Sequence, residues 1–497
     1  MSTLGFGDIT FHTDIGRLFS IVVLATGVIF MLVLLPFSFI EFFYAPWVRA
    51  QENARAPRKV PEGTRGHVLL TRYGPVTSVL VKMLVKYRYP YFILVPTIPE
   101  ALQLHNQGLR VVVGEMDDPE TYERVCVKDA GMVVATRDEI INTNVTFTVR
   151  ALAPALPIVA SATSEAGRDV LQLAGATHVI RLEEITGQAM ARRVVGNDAV
   201  AHVIGEVDGV LIAEAAVADT PLVGKTIGEA EVFKQTGVNV IALWDHGRLQ
   251  LASRDTKMLR NSVLVLAGTR EQIDAYSELL CIYHVTEAYV IILGGGRVGR
   301  ATAMALSERG LDWRIIEKLP ERVRFPDRTI VGDGSEIEIL NRAGLDRATA
   351  IIITSNDDDN NVFLTILCRR LRDDVQIISR STDERSMATL HRAGADLVLS
   401  YGVMGANTIF NTLHRSDTVL MAQGINIFPT PIPKSLAGHT VARSEIRNRT
   451  GCSIVAVESH GKRVINPRSD FELPVEGKLV LIGTLEAEET FLKEFPE

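Results

Sequence analysis

Hydrophobic positions along this chain fall into three regimes. From Leu18 to Tyr44 they run almost unbroken (LFSIVVLATGVIFMLVLLPFSFIEFFY), interrupted only by scattered Ser and Thr and one Glu. A bilayer core of about 30 Å takes roughly 20 helical residues, so this stretch predicts a membrane-spanning helix with residues to spare. Beyond residue 66 short β-branched runs alternate with amphipathic segments. In the second half the runs are Val290 to Leu293, Trp313 to Glu317, Thr329 to Val331, Ala350 to Thr354, Gln376 to Ser381 and Leu397 to Ser400. That rhythm predicts βαβ units and a doubly wound parallel sheet, giving an α/β fold class. The third regime, roughly 205 to 280 and 415 to 497, lacks long helical periodicity and carries strand-like runs such as Ser262 to Ala267 and Lys478 to Ile482, predicting small lobes rich in strand.

The pattern occurs twice. His67 to Thr77 recurs as Tyr289 to Gly299, Val113-Gly114-Glu115 as Val331-Gly332-Asp333, and Ala174-Gly175-Ala176 as Ala393-Gly394-Ala395. Later, Gly224 to Ile227 with Thr236 to Leu243 answers Gly438 to Val441 with Thr450 to Val457. Order and spacing agree throughout, so the chain holds two copies of a unit of about 220 residues rather than a short solenoid repeat.

Charge orients the apolar segment. Only Arg17 precedes it closely, whereas Arg49, Arg55, Arg58, Lys59 and Arg65 follow, which puts the C-terminal bulk in the cytoplasm and the N-terminus outside. The flanks lack the basic start and small-residue cleavage site of a signal peptide. Gly27 and Pro36 are its candidate bend points.

Composition excludes some partners. The net charge is −7 and no long basic run occurs, so nucleic acid is not an expected partner. Cys126, Cys281, Cys368 and Cys452 lie far apart without a CxxC, which predicts buried thiols in a reducing compartment rather than disulfides or a zinc site.

Thr3-Leu4-Gly5-Phe6-Gly7-Asp8, just ahead of the apolar helix, resembles the potassium-channel selectivity filter, usually written TVGYG followed by Asp. Its two glycines would let successive carbonyls face one way and replace the water shell of K+ as permeant ion. The helix would then be the inner, pore-lining one. A pore also needs an outer helix and a pore helix before the filter, so the expectation is a late-called start or a fragment.

The pairing of a Rossmann-like sheet with a small lobe, twice over, resembles the RCK domain, also found in the Trk and Ktr regulatory proteins of potassium uptake. The resulting division is a filter segment (1–12), a membrane helix (13–45), a proline-bearing linker (46–65), a first Rossmann lobe (66–204) with its C-terminal lobe (205–285), and a second pair (286–414 and 415–497).

Gly294-Gly-Gly296-Arg297-Val298-Gly299 is a G-x-G-x-x-G pattern placed between an apolar run and a helix-like stretch, and Glu317 closes the next run. Gly294 would make the tight turn, Gly296 would admit a pyrophosphate, and Gly299 would let helix and strand pack closely. Glu317 would accept from ribose hydroxyls and repel a 2′-phosphate, which favours NAD or an adenine nucleotide over NADP. The resemblance implies that Asp333 lies near the adenine and that Thr354, Asn356 and Arg380 face ribose and phosphates, with a surface ion pair the plainer role for Arg380. Asp357-Asp358-Asp359 has two readings, helix capping or a divalent cation, with capping favoured. The same choice holds for Asp117 and Asp118. The first copy carries Arg72, Gly74 and Thr77 at the three glycine positions, with Pro75 between and Pro96 after the next run, so a dinucleotide should fit poorly there.

These features lead us to expect a potassium channel subunit, not an enzyme. As a homotetramer in the plasma or inner membrane, its eight cytoplasmic RCK domains would form a ring that binds nucleotide and pulls on the inner helices. The rivals are a regulatory subunit of a separate transporter and, less favoured, a membrane-tethered NAD-dependent oxidoreductase. The latter lacks a proton-transfer constellation in the small lobes.

Overall fold

The computed structural model describes residues 11–44, 57–194, 201–207, 209–217, 220–245, 248–260, 262–281, 288–413, 419–420 and 425–496. The filter-like residues Thr3 to Gly7 and most of the linker lie outside them.

The apolar stretch is helical from Asp14, where Thr13 accepts the Gly16 N–H as cap, to Tyr44. Its apolar side chains are exposed, as they must be if lipid is their solvent. The α-helix Asp14–Ile29 passes through Gly27 without a break. Irregularity falls instead at two π segments, Phe30–Leu34, in which the Leu35 N–H reaches the Phe30 carbonyl directly before Pro36, and Ile40–Tyr44. Proline lacks the N–H that would continue the i→i−4 ladder, which accounts for the first of these but not the second.

Each copy opens with a six-stranded parallel sheet. The first comprises β1 (Val68–Leu70), β2 (Tyr91–Val95), β3 (Val111–Val113), β4 (Met132–Ala135), β5 (Ile158–Ser161) and β6 (His178–Ile180), in spatial order β3-β2-β1-β4-β5-β6. An antiparallel sheet of five strands, β7 to β11, follows between His202 and Gly268. The second copy repeats the parallel order with β12 (Tyr289–Leu293), β13 (Asp312–Glu317), β14 (Thr329–Val331), β15 (Ala350–Ile353), β16 (Gln376–Ser381) and β17 (Leu397–Ser400). Its own five antiparallel strands, β18 to β22, lie between Val419 and Thr484. The central strands read as unbroken apolar runs because helices cover both faces; Ile351, Ile352 and Ile353 are all fully buried.

The two Rossmann lobes face each other through two helix pairs related by a pseudo-twofold axis. The helix after β1, Pro75–Lys86, packs on the helix after β17, Tyr401–Leu413, burying Val76 and Leu80 against Ala406, Ile409 and Phe410. The helix after β12, Arg297–Glu308, packs on the helix after β6, Leu182–Arg192. Glycines set these distances. A Cβ on Gly187 would stand 2.6 Å from the Ala301 Cβ and 2.7 Å from the Thr302 nitrogen.

Where the first parallel sheet hands over to its small lobe, Arg193 donates to Glu214 at 2.7 Å, and the Glu214 side chain is only 5% exposed. Removing one member strands the other without solvent. Glu214→Ala should therefore cost about 3–5 kcal/mol, read as a lowered unfolding temperature of the detergent-solubilised chain.

Of the sulfur expectations, Cys368 and Cys452 are buried free thiols, and burial pushes the Cys368 thiol up to about 12. Cys126 departs from expectation: it is only half-buried, next to a left-handed turn that it forms itself with φ of 53°.

Candidate nucleotide-binding cleft

Parallel sheets place their ligand sites at the carboxyl ends of the strands where strand order reverses, here between β12 and β15. A cleft of about 890 Å³ opens there. The loop after β12 turns at Gly294, whose φ of +107° is in the left-handed region that favours glycine. Gly299 sits so close beneath it that a Cβ would fall on the Gly294 carbonyl oxygen. Gly296 is different. It caps the Arg297–Glu308 helix at φ −64°, and a Cβ there would meet nothing within 4 Å. The helix's first N–H groups, on Arg297, Val298 and Gly299, have no intrahelical acceptor, which makes the loop an anion cradle. The Val298 side chain is buried, so its part in the cleft is its backbone alone.

Glu317 ends β13 and is 5% exposed. Its carboxylate accepts from the Gly295 N–H at 2.7 Å and the Leu319 N–H at 2.9 Å, tying the glycine loop to the next strand. Thr354 likewise serves the loop, donating its hydroxyl to the Gly294 carbonyl at 2.9 Å. Asn356 is exposed at the rim. Asp333 accepts from Lys318 at 2.8 Å and from the Ser335 N–H and hydroxyl, and these donors, Lys318 first, hold its carboxyl down to about 2.

Because Asp333 titrates below its ordinary value of 3.8, its contribution to the order of this loop is complete above about pH 4 and is lost as pH falls toward 2. Asp333→Asn should reproduce the acid-side loosening at neutral pH, seen as faster hydrogen exchange of the 332–336 amides. Unchanged exchange would mean that the loop is held by other contacts.

Arg380, on β16, is 9% exposed, and its guanidinium lies over the Tyr401 ring at 4.5 Å. Its Nε has no hydrogen-bond partner and it makes no ion pair among the described residues. Burial lowers its pKa, with the nearby Glu183 and Asp358 carboxylates opposing. A desolvated guanidinium without a carboxylate is a ready partner for a phosphate. The acidic run, by contrast, is committed to backbone. Asp357 caps the Asp358–Leu371 helix through the Asp359 and Asn360 N–H groups, and Asp358 accepts from the Thr382 and Asp383 N–H groups. Asp118 caps its helix in the same way. Among the described residues no cluster of His, Cys, Asp and Glu could hold a metal ion.

Sequence reasoning missed Glu183 and Tyr401. Glu183 comes from the first copy and pairs with Arg297 at 3.3 Å. Tyr401 begins the helix after β17, and burial pushes its phenol up to about 12, so it stays a neutral donor. Both also line the corresponding cleft of the first copy. No periodicity reveals either, since their place depends on how the two copies dock.

The TrkA-N domain family matches residues 68–182 and 290–401, the TrkA-C domain family matches 212–280 and 427–495, and an ion channel family matches 1–43. A solved structure described as the GsuK channel bound to NAD is 35% identical, with a TM-score of 0.69 over 99% of this chain and 90% of that one. The GsuK structure bound to ADP is 27% identical, with a TM-score of 0.52 over 83% and 86%. Potassium channel protein 1 of Methanocaldococcus jannaschii is 26% identical over 212 residues, which is 40% of this chain and 64% of that protein. The chain thus spans just under two thirds of that curated relative. With both modules, the ion-channel segment and the full-length likeness in one polypeptide, the chain belongs to the RCK-domain potassium channel family, with two TrkA-N and TrkA-C pairs in tandem.

Proposed function

We propose that this chain is the ligand-sensing subunit of a potassium channel, four copies of which build a cytoplasmic ring of eight RCK modules joined to the pore-lining helices through residues 45–66. The observation that carries this reading is the second cleft, where an open glycine cradle, a buried acid and an unpaired buried arginine converge on one space. NAD or an adenine nucleotide fits it. The cradle N–H groups and Arg380 take the phosphates. Each Glu317 oxygen keeps a lone pair for ribose hydroxyls beside its backbone donor, and Asp333 lies toward the base. The nucleotides present in the GsuK structures support this assignment. The nucleotide acts as a regulatory ligand, because Glu317, Thr354 and Asp333 hold backbone rather than a transferable proton. A preference of about 1–3 kcal/mol per site for one ring geometry suffices when several sites act together.

Calorimetric titration with NAD, ADP and ATP should give one nucleotide per chain; two would mean that the first cleft was misjudged. In bilayers, the full-length channel should pass potassium with an open probability that shifts on adding nucleotide. A Gly5→Ala channel with unchanged potassium selectivity would refute the filter reading.

A further inference from the structure

The first copy's cleft, about 660 Å³, is more than a decayed version of the second. Equivalent positions follow from the sheets. Val68 pairs with Tyr91 as Val290 pairs with Trp313, so buried Val95 stands where Glu317 does. Asn142 donates to the Ser161 carbonyl at 2.9 Å as Asn361 does to the Arg380 carbonyl at 3.0 Å, so Ser161 stands for Arg380. The residues just before the helix caps Asp138 and Asp357 are Arg137 and Asn356. An arginine has thus moved from one strand end to the neighbouring one, and Arg72 has been added at the place of Gly294. The ribose acceptor is gone while the cations remain.

Those cations keep donors to spare. Arg137 donates Nε to the Thr71 carbonyl at 2.6 Å, but its buried Nη2 has no hydrogen-bond partner and lies 3.9 Å from the Glu100 carboxylate. The buried Thr136 hydroxyl beside it also lacks a partner. Arg72 is exposed and makes no ion pair among the described residues. The carboxylates around the cavity are engaged. Glu139 accepts from the N–H and hydroxyl groups of Thr163 and Ser164, Asp138 caps its helix through the Ile141 N–H, and Glu183 holds Arg297. The helix N-terminus adds little, because Pro75 has no N–H and the Gly74 N–H is taken by Thr77. Binding here must come from side chains.

We infer that the first cleft is a separate site for a small phosphate dianion, inorganic phosphate or a phosphomonoester, held by Arg137 and Arg72 with the Thr136 hydroxyl. Guanidinium forks match tetrahedral oxyanions, and a valine in place of the ribose acceptor removes any preference for a nucleoside. The inference does not depend on what the second cleft binds.

The test uses the full chain carrying Gly296→Val, which closes the second cleft, titrated with inorganic phosphate, ribose 5-phosphate and adenosine monophosphate. One phosphate should bind per chain, and Arg137→Gln and Arg72→Gln should each weaken it at least tenfold. Arg72 is exposed, so its variant tests the site even if Arg137→Gln fails to fold. Equal affinity for the first two probes identifies the phosphate group alone, and tighter ribose 5-phosphate identifies a phosphomonoester. Absence of phosphate binding at millimolar concentration, affinity unchanged in Arg72→Gln, or adenosine monophosphate bound more than tenfold tighter than ribose 5-phosphate would each overturn the inference.

Discussion

Gly296→Val should remove nucleotide binding from a chain that still folds. Two facts separate the outcomes. The backbone at Gly296 has φ −64°, which any residue adopts, and its absent Cβ would meet nothing within 4 Å, so the fold does not resist a side chain there. The empty space is the cradle itself, in front of the free N–H groups of the Arg297–Glu308 helix. A valine keeps a pyrophosphate out of reach of at least two charge-assisted hydrogen bonds, each about 1.5–3 kcal/mol, so affinity should fall by about 100-fold or more. The neighbouring change Gly299→Ala should instead damage the loop, because its Cβ lands on the Gly294 carbonyl. Calorimetry with NAD or ADP, alongside a thermal scan, distinguishes the two. A folded Gly296→Val protein with native affinity would show that the glycines serve packing only.

The second large effect is expected at the contact between the copies. Gly187→Val should destabilise their docking by about 3 kcal/mol. Replacing a helical glycine ordinarily gains up to about 1 kcal/mol in helix propensity. Here that gain is outweighed, because the atoms in the way include the Thr302 nitrogen at 2.7 Å and the Ala301 carbonyl carbon at 2.9 Å, which belong to a helix backbone and cannot rotate aside. Overpacking of this kind costs about 1–3 kcal/mol, and separating the helices also breaks the Arg297–Glu183 pair. The readout is a lower unfolding temperature with faster proteolysis between the lobes. A Gly187→Val chain as stable as the native one would mean that the helices slide apart at no cost.

The strands were legible because each obeys a local rule. The runs Trp313 to Glu317 and Gln376 to Ser381 are strands to within one residue, and the glycine fingerprint lies between a strand and a helix as its spacing requires. The duplication was legible because order and spacing survive divergence. What was not legible depends on docking or on hydrogen-bond direction. Nothing in the sequence tells that Glu183 crosses from one copy to pair with Arg297 of the other, or that Tyr401 lies under Arg380. The residue types of Glu317 and Thr354 suggested a ligand's partners, yet both also hold the glycine loop, a role visible only once the carbonyls and N–H groups have directions. A break in the hydrogen-bond ladder beside Pro36 was readable because a missing N–H is a property of the residue itself, whereas Gly27 only permits irregularity and the helix runs through it unbroken.

The pseudo-twofold docking of the two Rossmann lobes has an evolutionary consequence. When two identical chains meet across a twofold axis, every residue serves both sides, and a substitution that helps one cleft is imposed on the other. Joining the partners in one polypeptide lifts that constraint while the helix pairs keep their geometry. One position can then become Arg380 while its twin becomes Ser161, and the twin of Asn356 can become Arg137. Held in one polypeptide, the two pockets can specialise separately without any change at the interface between them.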